Sequence, residues 1–166
     1  LPLPTALARY EGYAGVVVPW ILYGSSNHTQ RPDGLVIESY TWRRSAPECN
    51  GWECAYKVIA QPRLVEECSV HNHYFANGGH AVNERFARMF DEASLLPTES
   101  QLGDFPADVF RLHHYKTKSF QDTLAKLRKD GVNAAGSEFH NPKTRDGRVA
   151  WFRAADWNEI QDDSAV

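Results

Sequence analysis

The sequence predicts an α/β fold, a mixed sheet with flanking helices. Three features carry that prediction: an apolar, β-branched run near the start, "VVVPWILYG"; further strand-type runs in "AYKVIA" and "RLVEECSVHNHYF"; and a capped amphipathic helix, "SFQDTLAKLRKDG", late in the chain. At 166 residues the chain suits one domain, residues 1–166, that buries roughly 70% of the surface its unfolded form exposes. It has 42% hydrophobic and 12% aromatic residues, and its 18 basic against 21 acidic side chains leave a net charge of −3. That balance is ordinary for a globular protein and gives no overall pull toward nucleic acid or another polyanion.

Taken in order, "TALARYEGYAG" reads as the end of a helix and a turn, and "VVVPWILYG" as a buried or half-buried strand in which Pro19 suggests an edge or a bulge. "GSSNHTQRPDG" is a loop, rich in Gly, Ser, Asn, Pro and Asp, that presents polar groups at the end of that strand. "LVIESYTWRR" fits either a short helix or a strand. "AYKVIA" is a strand ended by Pro62, and "RLVEECSVHNHYF" carries one more, leading to the turn "ANGG". Residues 88–108 read as an irregular, partly helical insertion. In "VFRLHHY" the alternation sets Phe110, Leu112 and His114 on one face and Val109, Arg111 and His113 on the other. Ser119 then caps a helix with Asp122 at its third position, Phe120, Leu124 and Leu127 form its apolar stripe, and Gly131 ends it. From "NAAGSEFHNPKTRDGR" the chain is loop-like, "VAWFRAADWNEI" packs a last short element, and the final residues fray.

No apolar run approaches the roughly 20 residues needed to span a bilayer, so no membrane segment is expected. The start "LPLPTALARY" has neither an initiating methionine nor the order of a signal peptide, which suggests a chain that begins partway through a longer product. Cys49, Cys54 and Cys68 are an odd set and leave the redox compartment open. Asn27-His28-Thr29 is a glycosylation sequon that matters only in a secreted protein.

The chemistry gathers around the late helix. Its N-terminus offers free N–H groups and partial positive charge, and Lys116 and Lys118 just before it complete a phosphate site. A neutral imidazole from the adjacent histidines would ligate a divalent ion bridging that phosphate. Against this stands a plainer account, in which His114 is a core histidine beside Phe110 and Leu112 and the lysines are solvated. His71 and His73 share a face if their segment is a strand, but the glutamate of a cupin-type site is missing from "NHYFANGGH". Asp33 and Glu38 are carboxylates able to act as a general base for a hydroxyl. Trp20 and Tyr23 would stack on a sugar or lie in the core.

Three stretches together resemble the family-92-like glycosyltransferases and their bacterial, viral and algal relatives. "VVVPWILYGSSNHTQRPDGLVIESYTWR" is similar to the family's Trp, aromatic-Gly-Ser-Ser and Gly-Leu-Val-Ile-Glu run. "YKVIAQPRLVEECSVH" resembles its Lys-x-Ile-x-x-Pro strand leading to a histidine, and "LHHYKTKSFQDTLAKLRKDG" its Asn-His-Tyr-x-Thr-Lys-Ser ending. The resemblance implies a partial GT-A type, nucleotide-sugar transferase domain, the C-terminal part of a longer one. Its activity would be transfer of a sugar from a nucleotide-sugar donor to a glycan or glycoprotein acceptor hydroxyl, with a divalent metal, manganese or magnesium, and inversion. It implies His114 and His71, the mid-family histidine, as metal ligands, Lys116, Lys118 and Ser119 toward the diphosphate, and Trp20, Gly24, Ser25 and Ser26 on the acceptor side. Glu38, with Asp33 second, is the base candidate. In a eukaryote the secretory-pathway lumen would be the compartment.

Two departures from the family pattern stand out: His113 replaces the usual Asn, and no Asp-x-Asp occurs in the chain. Two other functions therefore stand beside transfer: a non-catalytic structural subunit of a larger assembly, and a metal-dependent hydrolase or binding module using His71, His73 and His114.

Overall fold

The computed structural model describes residues 2–45, 56–68, 73–89, 106–128 and 145–164. Its elements in chain order are α1 (Leu3–Leu7), β1 (Gly15–Tyr23), α2 (Val36–Ser39), β2 (Trp42–Arg43), β3 (Tyr56–Ala60), β4 (Val65–Cys68), β5 (His73–Phe75), β6 (Ala81–Val82), β7 (Leu112–Tyr115), α3 (Phe120–Arg128), α4 (Arg145–Ala155) and β8 (Ile160–Gln161). This is a mixed α/β arrangement whose strand pairings are mostly antiparallel. The chain divides into two compact units, one of Leu1–Trp20 with Pro47–Leu112, the other of Ile21–Ala46 with His113–Val166.

In the first unit, β1 pairs antiparallel with β3 from Gly15↔Ala60 to Pro19↔Tyr56 and parallel with β6 at Gly15↔Ala81 and Val16↔Val82. Side chains from the rest of the unit cover both faces of β1, which suits the unbroken valine run. Val16 and Val18 pack with Tyr10, Val82 and Phe110, while Val17 packs on the opposite face with Tyr56, Ala81 and Met89. The edge or bulge suggested by Pro19 is corrected by this pairing: the strand is central, and Pro19 stands at the last pair of the β3 ladder, where a missing donor interrupts the fewest bonds.

"RLVEECSVHNHYF" holds two strands rather than one, since β4 and β5 pair antiparallel from Val65↔Phe75 to Cys68↔His73. The "ANGG" turn follows as expected, with Asn77 and Gly78 at φ 57° and 69°. Cys68 is a free, exposed thiol, and Cys49 and Cys54 lie outside the described residues. The alternation before β7 also holds: Phe110 is buried and Leu112 packs onto the core, whereas Val109 and Arg111 are exposed. Glu84, just after β6, is buried, and its carboxylate accepts the backbone N–H groups of Asp108 at 3.0 Å, Val109 at 2.7 Å and Phe110 at 2.9 Å. Its carbonyl accepts the Tyr10 hydroxyl at 2.7 Å.

In the second unit Tyr23 pairs with Arg43 of β2, and β2 pairs with β8 at Trp42↔Gln161 and Arg43↔Ile160. "LVIESYTWRR" is therefore both of its alternatives in succession, the short α2 and then β2. The Tyr23 ring lies 4.8 Å from His113 and 4.9 Å from Tyr115, which share one face of β7. Helix α3 forms where its cap and stripe foretold, and Phe120 meets Phe152 of α4 edge to face at 5.1 Å; the Leu127 side chain and Gly131 lie outside the described residues.

The loop expected up to Arg148 is instead the start of α4 at Arg145, with Asp146 in its first turn and Arg153 in its last, each suited to the helix dipole. Near the end of the chain β8 is paired, and Asp162 accepts a 2.5 Å bond from Arg43 Nε; of the final residues expected to fray, 165 and 166 lie outside the described residues. Most of the expected 88–108 insertion lies outside the described residues. Among the described residues no helix is long and apolar enough to cross a membrane.

Candidate functional site

Of the residues singled out in the sequence, Asp33, Glu38, Gly24, Ser25, Ser26, His114, Lys116, Lys118 and Ser119 belong to the second unit, and Trp20 to the first. His71 lies outside the described residues. The first unit has an open groove of about 630 Å³ lined in part by Leu7, Tyr10, Tyr13, Ile59, Gln61 and Arg63, none of them a candidate.

At the start of α3, Ser119 is fully buried and works as the cap. Its Oγ accepts the Asp122 N–H at 3.1 Å and donates to Asp122 Oδ2 at 2.8 Å. Its own N–H donates to the Tyr40 hydroxyl at 3.2 Å. The next two N–H groups go to the loop after β1, Phe120 to the His28 carbonyl at 3.1 Å and Gln121 to the Thr29 carbonyl at 3.0 Å. Each donor that a helix start would offer an anion thus has an acceptor from the chain itself.

Asp122 also accepts the Tyr40 hydroxyl at 3.1 Å and Arg31 Nε at 2.6 Å. Burial pushes its carboxyl up, but the hydrogen bonds from Arg31, Ser119 and Tyr40 outweigh that and hold it below the usual range. The sequence disclosed Ser119 and Asp122 as a local cap; Tyr40 and Arg31, about 80 to 90 residues away, had no local signal.

The Gly-Ser-Ser loop after β1 is fastened with equal density. Asp156 accepts the Ser25 N–H at 2.5 Å, the Ser25 hydroxyl at 2.7 Å and, at 3.4 Å, the Thr117 hydroxyl. Asn158 Oδ1 accepts the Ser26 N–H at 2.7 Å, and Ser26 Oγ accepts the Trp42 N–H at 3.0 Å. A Cβ on Gly24 would run into the Trp157 carbonyl and the Asn158 side chain, so only glycine admits this approach. Ser26 and Asn27, at φ 51° and 61°, form a tight turn closed by the His28 N–H on the Ser25 carbonyl at 3.0 Å, the type I′ pattern. Asp156, Asn158 and Thr117 were missed in the sequence, because separations of up to 133 residues leave no short-range trace.

The remaining candidates are more open. His114 is partly buried on β7, with Nδ1 inside. Lys118 is partly buried at φ 55°, an uncommon conformation for a side chain of its length. Lys116 Nζ stands 5.6 Å from the Trp157 ring centre. Glu38 is exposed at the start of α2, and one of its carboxylate oxygens accepts the Leu35 N–H at 3.4 Å. Asp33 is exposed in the preceding loop. Trp20 lies under Lys57, whose Nζ is 5.8 Å from its ring centre. Among the described residues no three His, Cys, Asp or Glu side chains come together to hold a metal ion, so these residues do not make up a complete centre.

Comparison of the chain with protein-family models, curated proteins and solved structures finds no match.

Proposed function

We propose that the chain is the acceptor-side portion of a GT-A type glycosyltransferase resembling family 92, which moves a sugar from a nucleotide donor to an acceptor hydroxyl with inversion. One observation carries this reading. The Gly24–Ser26 loop, Glu38, His114, Lys116 and Lys118 come from distant stretches of sequence yet belong to one compact unit. Glu38 is exposed, its carboxylate accepting a long bond from the Leu35 N–H, and as general base it would take the proton of the acceptor hydroxyl. The new bond then forms at the anomeric carbon as the bond to the diphosphate oxygen breaks. Asp33 is the second candidate for that role. Lys116 and Lys118 would balance the charge of the departing diphosphate, while Asp156 and Asn158 keep the Gly24–Ser26 loop in place.

A divalent ion, when bound, supplies charge neutralisation at the diphosphate. His114 would be one ligand, and the others must come from beyond the described residues.

The test joins the chain to a donor half bearing Asp-x-Asp and measures nucleoside diphosphate release. His114→Ala should abolish transfer with the circular dichroism unchanged, and Glu38→Gln should lower kcat with donor binding retained. Transfer untouched by both changes overturns the reading.

A second reading, a structural subunit without catalysis, is favoured by the start of α3, whose donors are all committed within the chain. On that reading the same variants would leave transfer alone, and opening the Asp156 latch would instead weaken association with the other half.

A further inference from the structure

We propose that the groove of the first unit binds a short apolar peptide, two or three residues long, with both of its termini free. The groove holds about 630 Å³, within the range of roughly 300–1,000 Å³ typical of sites that enclose a small organic ligand. Its floor is apolar: Leu7, Tyr10, Val16 and Ile59 line it and pack in one core with Val82 and Phe110. The Tyr10 ring is further fixed by Phe86, stacked at 4.8 Å, and its hydroxyl donates to the Glu84 carbonyl. A floor so held offers its surface without the cost of ordering it on binding.

Two charges of opposite sign line the same groove, Glu11 after the turn Ala8–Tyr10 and Arg63 in the turn Pro62–Leu64. Both are exposed, and among the described residues neither belongs to an ion pair. Gln61 joins the segments that carry them. Its Nε2 donates to the Glu11 carbonyl at 2.6 Å and the Tyr13 carbonyl at 2.8 Å, and its Oε1 accepts Arg63 Nε at 3.2 Å and Nη2 at 2.9 Å. The amide is thereby spent on the wall itself, both hydrogens and both lone pairs, and being neutral it cancels neither charge. Arg63 Nη1 is left with no acceptor among the described residues, and the Glu11 carboxylate with no donor. An apolar anion would meet Glu11 and an apolar cation Arg63; an apolar zwitterion satisfies both, its ammonium at Glu11 and its carboxylate at Arg63. Extended chain spans about 3.3–3.6 Å per residue, so two or three residues bridge charges on segments that one side-chain amide ties together. No residue of the proposed transferase centre lines the groove, and the site stands whether or not the chain takes part in transfer.

The experiment titrates the chain calorimetrically with the dipeptide Leu-Phe, with its N-acetylated and C-amidated forms, and with Gly-Gly and octanoate in further arms. Saturable binding of Leu-Phe is expected, about tenfold weaker when either terminus is capped, as for loss of one charge-assisted partner. Glu11→Gln should weaken Leu-Phe about as much as acetylation does and leave the acetylated form no weaker than with the unaltered chain; Arg63→Gln should do the same for amidation. Arg63→Lys, which keeps the charge without the fork, should restore part of the loss. Lys126→Gln, at an exposed cation of the second unit, should change nothing. Glu11 and Arg63 are exposed, and circular dichroism checks the fold of each variant. Absence of saturable binding overturns the proposal, as does equal binding of the capped forms or of Gly-Gly. Octanoate bound as tightly as Leu-Phe would make the groove a site for anionic amphiphiles, and a dimer in sedimentation that Arg63→Gln dissociates, in place of dipeptide binding, would put a second copy there; either overturns it too.

Discussion

Glu84 is a carboxylate removed from water with three backbone N–H groups as its solvent, from residues 24 to 26 positions further along the chain. A buried charge is tolerable on those terms because charge-assisted bonds replace its hydration. Glu84→Gln keeps the shape but turns an NH₂ toward donors that need an acceptor. The expected loss is about 2–4 kcal/mol, on the order of 1–3 for each orphaned N–H, read as a lowered urea midpoint with an unchanged slope. A loss under about 0.5 kcal/mol, the scale of an ordinary surface change, would show that water reaches the site. At Gly24 the argument is steric: Gly24→Ala drives a Cβ into the Trp157 carbonyl and the Asn158 side chain. It should lower the melting temperature more than Gly12→Ala, where an added Cβ meets nothing within 4 Å. Neither residue was legible in the sequence as structurally critical. Glu84 carried no signal at all, and the glycine of "YGSS" was read through a family pattern, because what makes each critical comes from chain far away.

At the level of elements, α3 separates what a sequence discloses from what it withholds. The cap, Ser119 with Asp122, and the apolar stripe are local and were legible. The acceptors for the other free N–H groups, Tyr40 and the carbonyls of His28 and Thr29, arrive by tertiary folding, and that is why a helix start that looked ready for an anion is instead committed to the loop after β1. Strands followed the same rule. β1 and β3 declared themselves by composition, whereas β8, only Ile160–Gln161, exists because β2 pairs with it.

Ser119→Ala should destabilise by about 1 kcal/mol, the usual value of a lost cap. Asp122 adds a pH dependence of definite sign. Its folded-state carboxyl is held below the unfolded value of 3.8, so its contribution is fully present above that value and disappears as the pH falls through the lower, folded-state value. Urea midpoints should therefore stay level down to about pH 4 on this account and then drop. Asp122→Asn should be less stable at neutral pH and drop less steeply in acid. The slope will not vanish, since the Asp162 carboxyl is likewise held low by Ser164 and Arg43 against the effect of burial. An identical acid slope in the variant would remove Asp122 from the account.

For the molecule as a whole, the mixed α/β class was legible because alternating strand and helix patterns survive as local signals; the division into two compact units was not, because the break within β1 after Trp20 falls inside a continuous apolar run. The same scale decides between a self-sufficient metal protein and a chain that completes its centre elsewhere. A hydrolase or binding module built on His71, His73 and His114 would bind a divalent ion tightly alone, and its folding would be linked to that ion. The transferase reading gives this chain His114 and His71 and leaves the Asp-x-Asp carboxylates to the donor half. Imidazoles without those carboxylates hold manganese weakly, and even a Kd near 1 mM gives only about 0.4 kcal/mol of stabilisation at 1 mM metal. Adding about 1 mM manganese to the isolated chain should thus raise its melting temperature by no more than about 3 °C, and a chelator should not lower it. Joining the donor half that bears Asp-x-Asp should turn this into a large, metal-dependent shift that His114→Ala removes. A large shift in the isolated chain, lost in His73→Ala as well as in His114→Ala, would instead establish a metal centre of the chain's own and set the transferase reading aside.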